Sequence, residues 1–250
     1  MIDTIENSLQ AVIEPLEGEL YRYAEDQERS VTRPLVGSLE EHEVLEEILE
    51  GTKPPYPENT EDYHYLLKTP FRYPPLPYGS RFGRKHEHGI LYASETYAAL
   101  QMEVAFYRFS FYHDMEQPPV SLKTQHMLFA FDYHASAGLN LAGLDDDETQ
   151  QRLRHPSDYS LTQAIGSWAR ERDIQALRYW SARAATPETN VAILEPLAIA
   201  GLPRPMFNFT VYVSEALVSL TTGSHMQSDF DRDIALDALL VSGQLPRPAV

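Results

Sequence analysis

Three side chains able to bind or transform a ligand recur at equal intervals near the middle of the chain. Arg81, Tyr92 and Glu103 are each separated by eleven residues. Arg81 lies between Gly79 and Gly83, where the lack of side-chain bulk lets the backbone approach a ligand closely. A guanidinium group suits a phosphate well, because it offers paired and charged hydrogen bonds. Arg81 is therefore a candidate for binding a phosphorylated ligand.

Glu103 has an unusual setting for a carboxylate. Its helical neighbours three and four residues away are apolar, and burying a charge among such groups costs free energy unless the charge is paired or functional. Two interpretations therefore stay open: a structural salt bridge to Arg81 or Arg108, or a carboxylate that serves a functional site. The apolar neighbours are Ala99, Leu100, Phe106 and Tyr107.

The composition is that of a folded, acidic protein. Apolar residues make up 43% of the chain, the formal net charge is −17, and no cysteine is present. This charge disfavours direct nucleic-acid binding, which depends on neutralising phosphates, and suits a basic protein partner. The lack of cysteine excludes disulfides and thiolate chemistry. No apolar run is long enough to cross a membrane and the acidic first residues do not resemble a secretory signal, so we expect a cytoplasmic protein.

The first third of the chain is predicted to contain two helices and an extended segment. Residues 5–23 have a weakly helical pattern that Pro15 interrupts. Ser38 begins a capping box, and a second helix is expected from there to Gly51. Residues 53–79 are rich in proline and tyrosine; they form either an ordered loop around the core or a polyproline II ligand. The stripe that supports the second helix consists of Leu39, Val44, Leu45, Ile48 and Leu49.

The remainder of the chain alternates strands with helices, which indicates an α+β fold. Helices are expected at 95–109, at 158–172 and, as a short amphipathic segment, at 231–241. An acidic loop is expected at 138–148. Strands are expected at 90–93, 126–133, 175–180, 190–195 and 208–214.

The tetrapeptide Gly223-Ser224-His225-Met226 has two interpretations. It matches the remnant that a cleaved affinity tag commonly leaves, and it is equally compatible with native sequence. In the first case the residues that follow it would be a fused or displaced segment. We therefore divide the chain into an N-terminal helical extension packed on the core at 1–60, a main domain at 61–220 and a C-terminal segment at 221–250.

Five segments together resemble the RES-domain family, which is named after an arginine, a glutamate and a serine. Here those residues would be Arg81, Glu103 and Ser181, with Tyr92 as a fourth site residue. Trp180 departs from the family pattern, because it stands where a proline is expected. The segments are GSRFG at 79–83, GILYAS at 89–94, EVAFYR at 103–108, LRYWSAR at 177–183 and NVAIL at 190–194.

The resemblance implies a fold and a substrate. Family members are similar to ADP-ribosyltransferases, so we expect an ADP-ribosyltransferase-like core of small β-sheets with flanking helices. They consume NAD as a substrate by breaking its nicotinamide–ribose bond, and they need no metal. Glu103 would stabilise the cationic ribose that forms, and Arg81 would hold the diphosphate.

The resemblance also implies roles for the remaining site residues. Tyr92 would stack on the nicotinamide ring. Ser181 would form a hydrogen bond with the nicotinamide amide or with the ribose. Arg183 and Asn190 would line the pocket. Together with Arg81, these residues form the expected NAD-binding set.

Family context implies a partner and leaves the acceptor of ADP-ribose open. Members are mostly toxins that a cognate Xre-type antitoxin neutralises, so we expect an NAD glycohydrolase or phosphorylase of this kind. A mono-ADP-ribosyltransferase acting on a protein would use the same four residues. A non-catalytic binding module that uses the acidic face or residues 53–79 is a third hypothesis. Neither direct nucleic-acid binding nor membrane binding is expected.

A metal site is not expected. His86 and His88 lie two residues apart on a turn, with His64 upstream, and this spacing does not place ligands on one helical face. The acidic run at 145–148 lacks the alternating ligands and the central glycine of a calcium loop.

Overall fold

A single long strand, β3, organises the fold. The structure is a computed structural model that describes residues 2, 4–25, 36–58, 60–75 and 77–247. The helices are α1 (Glu6–Ala11), α2 (Leu39–Thr52), α3 (Tyr65–Arg72), α4 (Tyr97–His113), α5 (Asp147–Leu153) and α6 (Ser160–Arg170). The strands are β1 (Ile13–Glu25), β2 (Leu91–Ser94), β3 (Leu122–Asn140), β4 (Ala176–Trp180), β5 (Thr189–Ile193), β6 (Ile199–Val213), β7 (Leu217–Thr221) and β8 (Arg232–Ala235).

The eight strands of the described residues join in one sheet, in the order β1-β2-β5-β4-β3-β6-β7-β8. Strand β1 also pairs with β3, from Ile13 opposite Leu139 to Glu25 opposite His126. Because β3 pairs with β4 at its far end, the strands β1, β2, β5, β4 and β3 close into a circuit. The predicted α+β class is confirmed, with one large sheet in place of the small sheets that were expected.

Side-chain alternation along β2 and β5 brings the site residues to one face of the sheet. Leu91 packs into the same hydrophobic cluster as Val191. Tyr92 points to the opposite face and packs with Ala192 in a second cluster. Asn190 lies two residues before Ala192 on β5, so it shares that second face.

Helix α4 is fixed at its start and along one side. The Thr96 side chain accepts a hydrogen bond from the backbone N–H of Ala99, which satisfies one of the free donors of the first turn. Buried residues of the helix, among them Val104 and Phe109, pack with Phe209 in a hydrophobic cluster. This packing sets the face of α4 that remains free to line a site.

Most of the predicted elements are confirmed. The helix expected at 95–109 is α4, which continues to His113, and the helix expected at 158–172 is α6. The strands expected at 126–133 and 208–214 are the centre of β3 and the end of β6. The acidic loop at 138–148 is shorter than expected, since β3 reaches Asn140 and α5 begins at Asp147.

Helix α2 begins at the predicted cap, and its Ser38 side chain accepts a hydrogen bond from the backbone N–H of Glu41. It continues past Gly51 to Thr52. Its apolar stripe was expected to face a core, but Leu39 is 67% exposed and Ile48 is 59% exposed. The proline- and tyrosine-rich segment that follows is not wholly irregular, because it contains α3.

The helix expected at 5–23 is wrong beyond residue 11, where β1 begins after one intervening residue. Leu16 and Leu20 are buried four residues apart, a spacing that fits one face of either a helix or a strand. Pairing with β3 decides between the two structures, and Pro15 lies at an irregularity in that pairing. The N-terminal 60 residues are therefore not a purely helical extension, since β1 is part of the sheet.

The helix expected at 231–241 is also wrong. Residues 232–235 form β8, which pairs with β7, and Leu236–Leu239 forms one 3-10 turn. Phe230 is 1% exposed in the hydrophobic cluster that packs on α4, and its carbonyl accepts a hydrogen bond from the Gln101 side chain. Residues 232–235, which follow Gly223-Ser224-His225-Met226, are thus integrated into the sheet and are not displaced from it.

Candidate active site

A cavity of about 860 Å³ lies between α4 and the strands β1, β2, β4 and β5. This volume is within the range of roughly 300–1,000 Å³ that small-molecule sites occupy. Five of the six predicted site residues line the cavity: Arg81, Tyr92, Glu103, Arg183 and Asn190.

The Glu103 carboxylate is oriented by two hydrogen-bond donors. The Asn190 side-chain amide donates to its Oε1 atom over 3.1 Å, and the Ser181 hydroxyl donates to the same atom over 3.3 Å. Asn190 is fixed in turn by the Ser94 hydroxyl, which donates to its Oδ1 atom over 2.7 Å. No described residue donates a hydrogen bond to Oε2 of Glu103, so that oxygen can accept one from a ligand.

Ser181 lies behind Glu103 and not on the wall of the cavity. It is 1% exposed, and its hydroxyl accepts hydrogen bonds from the backbone N–H groups of Arg183 and Ala184. Because its own proton points to Glu103, Ser181 orients the carboxylate. Arg81 and Glu103 of the motif thus line the same cavity. Ser181 contacts Glu103 from behind and positions its carboxylate.

The salt-bridge interpretation of Glu103 is not supported. Arg108 pairs with Glu25 at 3.3 Å. The Arg81 guanidinium lies 4.6 Å from the centre of the Tyr159 ring and donates to the backbone carbonyls of Leu153 and His155. Within the described residues, Glu103 forms no ion pair with an arginine or lysine.

Arg81 lies in a tight turn that the protein holds from two sides. Ser80 and Gly83 exchange backbone hydrogen bonds across the turn. The side-chain amide of Gln163, on α6, donates to the carbonyls of Tyr78 and Ser80. Gly79 has φ +81°, and a Cβ atom there would collide with the carbonyl of Gly83 and the Gln163 side chain. The glycine therefore serves the close packing of this turn.

Tyr92 links the same turn to the sheet. Its phenol oxygen accepts a hydrogen bond from the backbone N–H of Phe82 over 3.0 Å and shares a second with the Ser80 hydroxyl over 2.9 Å. Burial raises the pKa of Tyr92 to about 12, so the side chain stays a neutral phenol at physiological pH. Its hydroxyl positions the Arg81 turn, while its ring lines the cavity.

Two further arginines face the cavity with unused donors. Arg183 is 8% exposed, lies 3.6 Å from the centre of the Phe106 ring and donates through Nη2 to the Tyr159 hydroxyl. Arg22, on β1, also lines the cavity. The Nη1 atoms of Arg22 and Arg183 are buried and have no hydrogen-bond acceptor among the described residues.

These arginines give the cavity an excess of positive charge. Burial lowers the pKa of Arg22 to about 10 and lowers that of Arg183 as well, but Arg22 remains protonated near pH 7. A buried guanidinium with open donors is costly unless an anion completes it. The cavity is therefore suited to a ligand that brings negative charge, such as a phosphate ester.

The family model described as the RES domain matches residues 57–231. The chain belongs to the RES-domain family. Arg81, Glu103 and Ser181 all fall within the matched residues, whereas Arg22 lies before them on β1. Strand β1, which lies outside the matched segment, thus contributes to the sheet and to the cavity.

A solved structure of low sequence identity is similar to this RES-domain chain. It is the M. tuberculosis MbcT–MbcA toxin–antitoxin complex, with a TM-score of 0.45 and 13% sequence identity. The alignment covers 84% of this chain and 91% of that chain. No curated protein matches the sequence.

Three features of the RES-domain cavity were not predicted from the sequence. Arg22 lies in the stretch read as a helix, and Tyr159 contacts both Arg81 and Arg183. Residues 73–75 of the proline- and tyrosine-rich segment form part of the wall. A tyrosine-rich stretch directly before the Arg81 turn was the one available signal for this wall.

Two other features are absent from the described part of the chain. No cluster of three or more histidine, aspartate or glutamate side chains there has the arrangement of a metal site. No helix there is long and apolar enough to cross a membrane.

Proposed function

We propose that this protein cleaves the nicotinamide–ribose bond of NAD, and that it is a toxin whose activity a cognate Xre-type antitoxin blocks. Membership of the RES-domain family supports the proposal. The observation that carries it is the oriented carboxylate of Glu103, in a cavity that also holds Arg22, Arg81 and Arg183. A dinucleotide diphosphate supplies the negative charge that these arginines need.

Glu103 is suited to stabilise an oxocarbenium-like ribose. Nicotinamide is a cationic leaving group, so its departure places positive charge on the ribose carbon and ring oxygen. A carboxylate held in place before the reaction lowers the barrier, because it does not have to reorganise as the charge develops. With Oε1 held by Ser181 and Asn190, the open Oε2 atom is free to accept a hydrogen bond from a ribose hydroxyl.

The arginines are suited to hold the diphosphate. Arg81 keeps part of its guanidinium for a ligand, since it gives only Nη1 to backbone carbonyls. Arg22 and Arg183 each have an unused Nη1 donor. Charged hydrogen bonds to phosphate are among the stronger contacts that a protein can offer, and binding energy of this kind positions the scissile bond against Glu103.

Aromatic side chains enclose the remainder of the cavity, including Tyr92, Phe106, Tyr107 and Tyr179. Their faces can stack on the nicotinamide ring and exclude water from most of the substrate. This arrangement needs neither a metal nor a covalent nucleophile.

The acceptor of ADP-ribose is identified by product analysis. The purified protein is incubated with NAD in buffers with and without inorganic phosphate, and the products are separated by liquid chromatography. A glycohydrolase gives nicotinamide and ADP-ribose in both buffers, whereas a phosphorylase gives ADP-ribose-1″-phosphate only with phosphate present. Unchanged NAD after prolonged incubation in both buffers, without and with added cell lysate as a source of protein acceptors, would refute the proposal.

A further inference from the structure

One face of α4 runs along the cavity from Glu103 to the end of the helix. Glu103, Tyr107, Ser110 and Asp114 all line the cavity, and their spacing of three and four residues places them on one helical face. With a rise of 1.5 Å per residue, Glu103 and Asp114 are separated by about 16 Å along the helix axis. A ligand whose ribose lies at Glu103 therefore reaches Asp114 only if it is long enough to span this distance.

A second segment of chain reaches the Asp114 end of the cavity. Val241 and Gln244 exchange backbone hydrogen bonds around a turn in which Ser242 has φ 53° and Gly243 has φ 76°. This tight turn reverses the chain, so that Leu245 packs on the hydrophobic cluster beside α4. Pro246 and Arg247 then line the cavity.

Arg247 is held at this end by an ion pair with Asp114. The side chains are 68% and 54% exposed, so the pair contributes little to stability. Its place at the edge of the cavity, at the opposite end of the helix face from Glu103, suggests a role in binding.

We propose that Arg247, oriented by Asp114, contacts the distal nucleoside of the dinucleotide and makes the protein selective for NAD over nicotinamide mononucleotide. This inference rests on the proposed function. The planar guanidinium of Arg247 is suited to stack on a purine ring, and Pro246 adds an apolar contact. The Asp114 carboxylate is suited to accept a hydrogen bond from the distal ribose. Nicotinamide mononucleotide lacks this half of the molecule and cannot use these contacts.

The experiment compares the two nucleotides as substrates. We expect Arg247→Ala to raise KM for NAD about fivefold, the effect of losing one exposed stacking cation. KM for nicotinamide mononucleotide stays unchanged, as does kcat for both. Arg247→Lys keeps the charge near Asp114 but not the planar group, so it should recover only part of the NAD affinity. Arg204→Ala is the matched control, because Arg204 is an exposed, ion-paired arginine outside this cavity.

The outcomes separate the two proposals. A change in KM for NAD alone supports the role of Arg247. An unchanged KM for NAD, or equal changes for both nucleotides, would overturn it while nicotinamide release by the wild-type protein still upheld the proposed function. If the wild-type protein cleaved neither nucleotide, the proposed function would fail, and the selectivity inference would fail with it.

Discussion

At the scale of single residues, two guanidinium groups that line the cavity do not complete their hydrogen bonds within the described protein. Arg22 and Arg183 each have a buried Nη1 atom with no acceptor among the described residues. Arg178 offers the contrast, since its guanidinium donates to both carboxylate oxygens of Glu95. An arginine that completes its hydrogen bonds within the protein stabilises it, whereas these two cavity-lining arginines leave donors open to a ligand.

Because of this contrast, we predict that two matched substitutions change the free energy of unfolding in opposite directions. Replacing Arg22 with methionine removes a buried, incompletely paired charge, so we expect the free energy of unfolding without ligand to rise by about 1–3 kcal/mol. Affinity for ADP-ribose should fall at least about tenfold, because a charged contact to the diphosphate is lost. Arg178→Met should lower the free energy of unfolding and leave the affinity unchanged. Denaturant melts and calorimetric titration with ADP-ribose measure both quantities; a destabilised Arg22→Met with normal affinity would make Arg22 structural.

Single residues also show how much of the site the sequence could predict. Arg81, Tyr92 and Glu103 were identified because they stand in recognisable motifs, and all three line the cavity. The place of Ser181 behind Glu103 depends on where β4 ends, which no motif records. Arg22 lies far upstream and reaches the cavity only because β1 pairs with β2 and β3.

At the scale of elements, the local sequence predicted an element correctly where that element's own residues determine its structure. Helix α2 begins after the cap that the sequence predicts, and α4, which Thr96 caps, begins two residues after its expected start. The strands β1 and β8 were missed because pairing with another strand decides their structure, and their apolar spacing is compatible with a helix. The site needs both kinds of element, since α4 carries Glu103 and the strands carry its hydrogen-bond partner Asn190.

The turn that carries Arg81 gives a prediction at this scale. Gly79→Ala places a Cβ atom against Gly83 and Gln163 at a positive φ, so we expect the free energy of unfolding to fall by about 2 kcal/mol or more. Affinity for ADP-ribose should fall too, because the turn that positions Arg81 must shift. Gly201→Ala is the control: φ is +77° there, but no atom lies within 4 Å of the added Cβ. Equal effects of the two substitutions on affinity would show that the Arg81 turn does not position a binding group.

At the scale of the whole molecule, the cavity lies where two hydrophobic clusters meet. Leu100 and Phe106 belong to the cluster that packs on α4, while Ile90 and Tyr179 belong to the cluster that packs on α6. Neither cluster could be assigned from the sequence, because each draws on strands far apart in the chain. The whole chain has a net charge of −17, whereas the buried charges of the cavity are mainly positive. This contrast suits a small anionic substrate inside and a basic protein partner outside.

The rate of nicotinamide release from NAD by the wild-type protein and by Glu103→Gln tests the central claim most directly. The substitution keeps the size of the side chain but removes its charge, so we expect release to fall at least about 100-fold. The melting temperature should stay within a few degrees of that of the wild type. Glu195→Gln, an exposed position outside the cavity, should retain full activity. Nicotinamide release by a folded Glu103→Gln protein at the wild-type rate would contradict the account.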